Sequence, residues 1–218
     1  MGSILVVSPH PDDESIGCGG TLRKHVVEGD TVQVIFLTSG ERGGHGRTPE
    51  ETKRVREQEA RDAAEILGLA GLEFWEVPNG ALRNTRLLSE RLSAKIAGLQ
   101  AEIIYVTHDR EMHPEHRAAA RLVGRAVSIL PPAVTKPEVL MFEVWTPLQR
   151  MDQIVDITPY IDTKIAAIRA HKSQCDVLGF DDAFLGLARY RGEMFSWPEG
   201  DYAEIFVQMR INQAESMR

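Results

Sequence analysis

Cysteine is scarce in this 218-residue chain, with Cys18 and Cys175 far apart. Two thiols cannot form a disulfide framework, and they lack the CxxC spacing of a thiolate metal site. Both are expected to act as small packing side chains. No apolar run approaches the roughly 20 residues that cross a bilayer. Nor does the start show a basic segment followed by an apolar one, so neither a secretory leader nor a membrane anchor is expected, and the expected compartment is the cytoplasm. Positive charge is also short: 25 Lys and Arg against 32 Asp and Glu leave a formal net charge of −7. Nucleic acid is therefore excluded as the main partner, because phosphate binding needs a concentrated basic face. Lys53, Arg54 and Arg56 do cluster, but acids are interleaved with them. Repeats, low-complexity tracts and linkers are missing, which predicts a single domain over residues 1–218.

The chain instead alternates apolar, β-branched runs with helix-like segments. Strands are expected at Ile4–Ser8, Thr31–Thr38, Leu72–Val77, Glu102–Thr107, Val139–Val144 and Tyr202–Met209. Continuous apolar runs of this kind suit strands covered on both faces. Helices are expected at Ile16–Glu28, Pro49–Leu67, Leu87–Leu99, Pro114–Leu130 and Pro159–His171. Gly29 and Gly68 suit helix ends, and Pro49 and Pro114 suit first turns. The alternation predicts an α/β fold, a Rossmann-like three-layer sandwich with a mainly parallel central sheet. Ligands in such sheets bind beyond the carboxyl ends of the strands.

Two such ends carry unusual residues. Ser8-Pro9-His10-Pro11-Asp12-Asp13-Glu14 follows the first strand, and three successive acids raise the free energy of a fold unless a positive charge sits among them. Thr107-His108-Asp109-Arg110-Glu111-Met112-His113-Pro114-Glu115-His116 follows a later strand. With Pro114 in the first turn, His113 falls at the cap and His116 one turn on, toward the same side. A divalent cation answers the acidic run: His10, Asp13 and His116 form a two-His, one-carboxylate set with open positions. Zinc is the usual occupant of such a catalytic set, and Fe(II) also fits it. Asp12, leaving the loop in another direction, is free to take a proton from water. The plainer alternatives are an acidic helix cap and a surface HxxH pair.

The stretch SPHPDDESIGCGGTL together with HPEH resembles the PIG-L, or LmbE-like, family of metal-dependent N-acetylglucosamine deacetylases. The similarity extends through Leu37-Thr38-Ser39-Gly40-Glu41, Arg56-Glu57-Gln58-Glu59-Ala60, His171-Lys172-Ser173-Gln174 and Ala203-Glu204-Ile205-Phe206. The resemblance implies metal binding by His10, Asp13 and His116, with Asp12 as general base. It implies that His113, in protonated form, stabilises the tetrahedral intermediate or acts as acid. It places Arg56 against the sugar, whereas charge patterning alone reads Arg56 as part of a solvated helix face. The family usually has HPDH where this chain has Glu115; an acid there that orients His113 would shift its position or pKa. The implied partner is a small-molecule amino-sugar conjugate, and a homo-oligomer is consistent with the family.

Gly40–Thr48 is glycine-rich but lacks GxGxxG spacing, so a rim over the site is expected, with His45 in solvent. Asp109 is expected to support the metal ligands and His108 to be structural. His171 falls at a helix end, where a cation suits the dipole, and the resemblance implies that it lines the pocket. Trp75, Trp145 and Trp197 are candidates for stacking on a sugar ring, with core packing expected for at least two of them. Two rival functions are an Fe(II) oxygenase on the same ligands, which favours a different fold, and a nucleotide-binding module, which would need GxGxxG after the first strand.

Overall fold

The computed structural model describes residues 1–195 and 200–211, so Trp197 lies outside the described residues. The apolar runs become the middle of a sheet. Strand β1 (Ser3–Ser8) is buried from Ile4 onward. Helix α1 (Asp13–Glu28) follows, then β2 (Thr31–Phe36), α2 (Pro49–Leu67), β3 (Gly71–Phe74), α3 (Arg86–Leu99), β4 (Ile103–Thr107), α4 (Pro114–Ser128) and β5 (Glu138–Phe142). The chain closes with β6 (Gln153–Asp156), α5 (Ile161–Ala170), a single turn α6 (Lys172–Cys175), α7 (Phe180–Phe195) and β7 (Ala203–Gln208). The seven strands lie in the order β3-β2-β1-β4-β5-β7-β6. β1 to β5 pair parallel, whereas β7 runs antiparallel to both β5 and β6.

Alternation along β1 sends Leu5 and Val7 to one core and Ile4 and Val6 to the other. The first core meets Leu92 and Ile96 of α3 and Leu122 and Val123 of α4. The second meets Ile16 and Leu22 of α1, Ile165 of α5 and Ala188 of α7. These are the three expected layers, and each buried Ile, Leu or Val contributes roughly 1.5–3 kcal/mol.

Sequence order runs outward from β1 through β2 to β3, then jumps to β4 on the other side of β1. Loops leaving β1 and β4 therefore diverge above adjacent strand ends and leave a crevice between them. Two glycines let α1 lie tight against the sheet. A Cβ on Gly17 would fall 2.0 Å from the Phe142 ring, and one on Gly20 would fall 2.8 Å from Ile157. Glu204 of β7 accepts the Gly20 and Thr21 N–H groups, and Lys164 of α5 pairs with Glu204 while reaching the Ile16 carbonyl. This buried ion pair is bonded on both sides and fixes the helix that carries the acidic run.

Four elements differ from expectation. β6 has no counterpart among the expected strands, being a short edge strand exposed at Gln153 and Ile154 and paired through β7. The helix α7 and the turn α6 lie outside the expected helices. β3 stops at Phe74, not Val77, as the backbone turns to φ 56 at Glu76.

Candidate active site

The β1 loop folds around its own acid. The His10 backbone N–H donates to Asp13 Oδ2 at 3.0 Å, and His10 Nδ1 lies 3.1 Å from the same oxygen. From the start of α4, His116 brings Nε2 to within 3.3 Å of Asp13 Oδ1. One carboxylate is thus bracketed by two imidazoles from different strand ends. His113, the α4 cap, joins them with its ring centroid 4.9 Å from that of His10 and 4.7 Å from that of His116. Donor atoms of the three histidines lie within 4.8 Å of one another.

The donor set fits a cation on an observation independent of the family. Neither nitrogen of His116 has a hydrogen-bond partner, nor does Glu111 Oε2, although these atoms are buried. Leaving such groups unpaired costs roughly 1–3 kcal/mol each, so a further partner is expected among them. Burial lowers the His116 pKa to about 4, keeping one ring nitrogen's lone pair available. For Asp13, burial acts upward, but His116 and the hydrogen bond from His10 outweigh it and hold the carboxyl at about 2.

Asp12 is placed differently. Its backbone has φ 130, a conformation that costs a non-glycine residue on the order of 1–3 kcal/mol. Surrounding bonds hold it there. Its N–H donates to Glu14 Oε2 at 3.1 Å, and Arg56 Nη2 donates to its Oδ2 at 3.0 Å. Burial raises the Asp12 carboxyl to about 6, with Arg56 opposing and Asp13 reinforcing. Two adjacent acids are therefore split, one toward low pKa and one toward neutrality, the separation that acid–base chemistry uses.

Arg56 is buried rather than part of a solvated helix face. It also donates to the carbonyls of Gly40 and Pro11. Gly40, at φ 62, leaves room for it, since a Cβ there would sit 2.2 Å from Arg56 Nη1. Arg56 lines the pocket, with both terminal nitrogens engaged by this chain.

An outer ring of carboxylates differs from expectation. Asp109 is exposed because the chain turns outward after β4, and the inward-facing acid is Glu111. Glu111 places Oε2 3.8 Å from His116 Nδ1, while its Oε1 accepts the N–H groups of Val144 and Thr146. Glu115 does not orient His113 through its side chain: its Oε2 lies 3.0 Å from His10 Nε2. The longer side chain reaches across the crevice to the β3–α3 loop, where Glu115 Oε1 accepts the N–H groups of Gly80 and Leu82. His113 instead uses Nδ1 to accept the Glu115 backbone N–H, leaving Nε2 as its donor position. Burial and the nearby His10 lower its pKa, against the opposing pull of Asp13 and Glu115.

His171 is buried beneath this layer, with Nε2 3.5 Å from Glu14 Oε1, and is not among the residues lining the pocket. His108 is structural, as expected, with Nε2 2.7 Å from the Thr146 carbonyl. The pocket, about 330 Å³, opens over His10, Asp12, Asp13 and His113. Arg42, Gly43 and His45 of the glycine-rich segment form one rim, and Trp145, Leu178 and Phe180 form the other. Trp75 packs in the core, whereas Trp145 is exposed at this rim.

A metal-type donor set and a separate buried carboxylate at the switch point of a mainly parallel sheet mark the class as a metal-dependent α/β enzyme. Residues 5–127 match the family described as PIG-L, GlcNAc-PI de-N-acetylase, and the chain belongs to that family. It is 31% identical over 191 residues to a 4-oxalmesaconate hydratase of Pseudomonas putida, covering 79% of this chain and 74% of that one. A diacetylchitobiose deacetylase of Thermococcus kodakarensis is 31% identical over 209 residues, covering 88% of this chain and 78% of that protein. The crystal structure of a conserved protein from Thermus thermophilus superposes with a TM-score of 0.84 at 32% identity, covering 97% of this chain and 96% of that one. No described helix is long and apolar enough to cross a membrane.

Proposed function

We propose that this chain is a zinc-dependent deacetylase that hydrolyses the N-acetyl amide of an N-acetylglucosamine-type conjugate, releasing acetate and a free amine. The observation that carries the proposal is the division of labour between two neighbouring acids: Asp13 is bracketed by His10 and His116, and Asp12 is held apart by Arg56 with a raised pKa. His10, Asp13 and His116 would hold the cation, which when bound acidifies water and polarises a carbonyl.

The protein's own groups do the rest. Asp12 takes the proton of the attacking water at the carboxylate oxygen that Arg56 leaves free. His113 donates from Nε2 to the amide oxygen as that oxygen gains charge. Asp12 then returns its proton to the leaving nitrogen. Arg56 is thus a positioning residue for the base. The rim tryptophan, Trp145, offers a flat apolar face to a sugar ring. Names of several similar proteins point to amino-sugar deacetylation, and the two free cysteines, Cys18 and Cys175, suit a reducing cytoplasm.

The hydratase relative supports a second reading, because a metal site with a neighbouring base can also add water across an activated carbon–carbon double bond. A screen for acetate release from N-acetylglucosamine conjugates, run beside hydration of an unsaturated dicarboxylate, separates the two. In the deacetylase, Asp12→Asn is expected to keep its zinc and lose about 10²–10⁴-fold in kcat. A variant as fast as wild type would remove Asp12 from the mechanism.

A further inference from the structure

We infer that Glu14 is the positioning residue that holds Asp12 ready as base, an inference that rests on the deacetylase reading and its role for Asp12. Asp12 occupies the N-cap of α1, where an Asp side chain ordinarily accepts a backbone N–H two or three positions on. It makes no such bond here, and its carboxylate is turned instead to Arg56 and the pocket. That orientation goes with φ 130 at Asp12, a strained value that needs support from its surroundings.

The support is a clamp on both peptides of Asp12. On the N-terminal side the Pro11 carbonyl accepts Arg56 Nη2 at 2.6 Å, and the N–H of the same peptide donates to Glu14 Oε2 at 3.1 Å. On the C-terminal side the Asp12 carbonyl accepts the Ile16 N–H at 3.0 Å. With the Pro11–Asp12 peptide pinned at its oxygen and at its N–H, φ cannot relax without breaking a buried bond. Glu14 is fixed in its turn. The Ser15 hydroxyl donates to Oε1 at 2.8 Å, and His171 Nε2 stands 3.5 Å from the same oxygen, which leaves Oε2 for the Asp12 N–H. A carboxylate that served only the helix dipole would need no burial, and burying one is costly. Glu14 is nonetheless 1% exposed, directly under the base it clamps.

The test separates reach from charge. Glu14→Asp keeps the charge but withdraws the carboxylate by one methylene, whereas Glu14→Gln loses the charge but keeps an acceptor oxygen at the same reach. Acetate release from phenyl N-acetylglucosaminide by zinc-loaded protein gives the rate, and elemental analysis gives the zinc content. Glu14→Asp is expected to lower kcat about 100-fold with KM and zinc unchanged, and Glu14→Gln to rescue the rate to within about 3-fold of wild type. Beside Asp12→Asn, Glu14→Asp should cost no further rate, because Glu14 acts through Asp12. Three results would each overturn the inference and leave deacetylation standing: Glu14→Asp as fast as wild type, Glu14→Gln slower than Glu14→Asp, or a loss that persists in full beside Asp12→Asn. If wild type releases no acetate, deacetylation falls and crystal structures of the variants decide the clamp. Asp12 kept near φ 130 in Glu14→Gln and relaxed in Glu14→Asp would uphold it, and an unchanged φ in Glu14→Asp would overturn it.

Discussion

Helix α1 has a histidine–carboxylate cluster at each end, and the two differ in how their polar atoms are satisfied. At its C-terminal end His25, Glu28 and Asp30 offer donor atoms close enough together for a metal ion. Every nitrogen of His25 is already used, Nδ1 by Asp30 at 2.8 Å and Nε2 by the Tyr105 hydroxyl at 2.9 Å. Asp30 also accepts the Gly2 N–H at 2.6 Å. At the N-terminal end stand two histidines and a carboxylate, His10, His116 and Asp13, and His116 and Glu111 keep buried lone pairs and N–H groups without hydrogen bonds. Both places bring three or more potential ligand side chains close together, rich in histidine at one end and in carboxylate at the other. What separates a binding site from a structural clasp is unsatisfied polar capacity in a buried setting.

The largest effect expected from this contrast is on metal content. His116→Ala should lose the tightly bound zinc equivalent after loading and desalting, and His25→Ala should retain it, both read by elemental analysis. Retention by the first variant, or loss by the second, would break the comparison. A smaller effect is expected one layer out. Glu111→Gln keeps the shape of the side chain but weakens its hold on His116, and should raise the zinc Kd by about 10–100-fold in chelator competition. An unchanged Kd would reduce Glu111 to a clamp on the Val144 and Thr146 N–H groups.

This contrast also shows how far the sequence could be read. The bounds of α2 were legible because Thr48 and Glu51 form a capping box and Gly68 ends the helix at φ 80. The parallel sheet was legible from its buried runs, and the two motifs from their place after β1 and β4. The identity of the supporting acid was not. Asp109 and Glu111 are two positions apart in one loop, and the turn after β4, which no local pattern encodes, decides which one faces His116. The reach of Glu115 to His10 was equally hidden, since it depends on a contact between residues 105 positions apart. The edge strand β6 was missed because its partner, β7, is remote in sequence and only a short part of it is buried.

The smallest effect sharpens the structural side of the comparison. The Asp30 carboxyl is held below its ordinary pKa first by the Gly2 N–H, then by the hydrogen bond with His25, against a small opposing effect of burial. A group depressed in the folded state stabilises fully above its unfolded pKa and loses that contribution as pH falls through the folded value. Asp30→Asn is therefore expected to lower Tm by about 2–4 °C at pH 7, for a contribution of about 1 kcal/mol. The gap from wild type should narrow below about pH 4, where the unfolded carboxyl begins to protonate. Thermal melts of both proteins across that range, with and without zinc, provide the readout. A gap independent of pH would remove the carboxylate as its cause. A gap that zinc enlarges would make the His25 cluster a second metal site, because a clasp whose lone pairs are already engaged gains nothing from the ion.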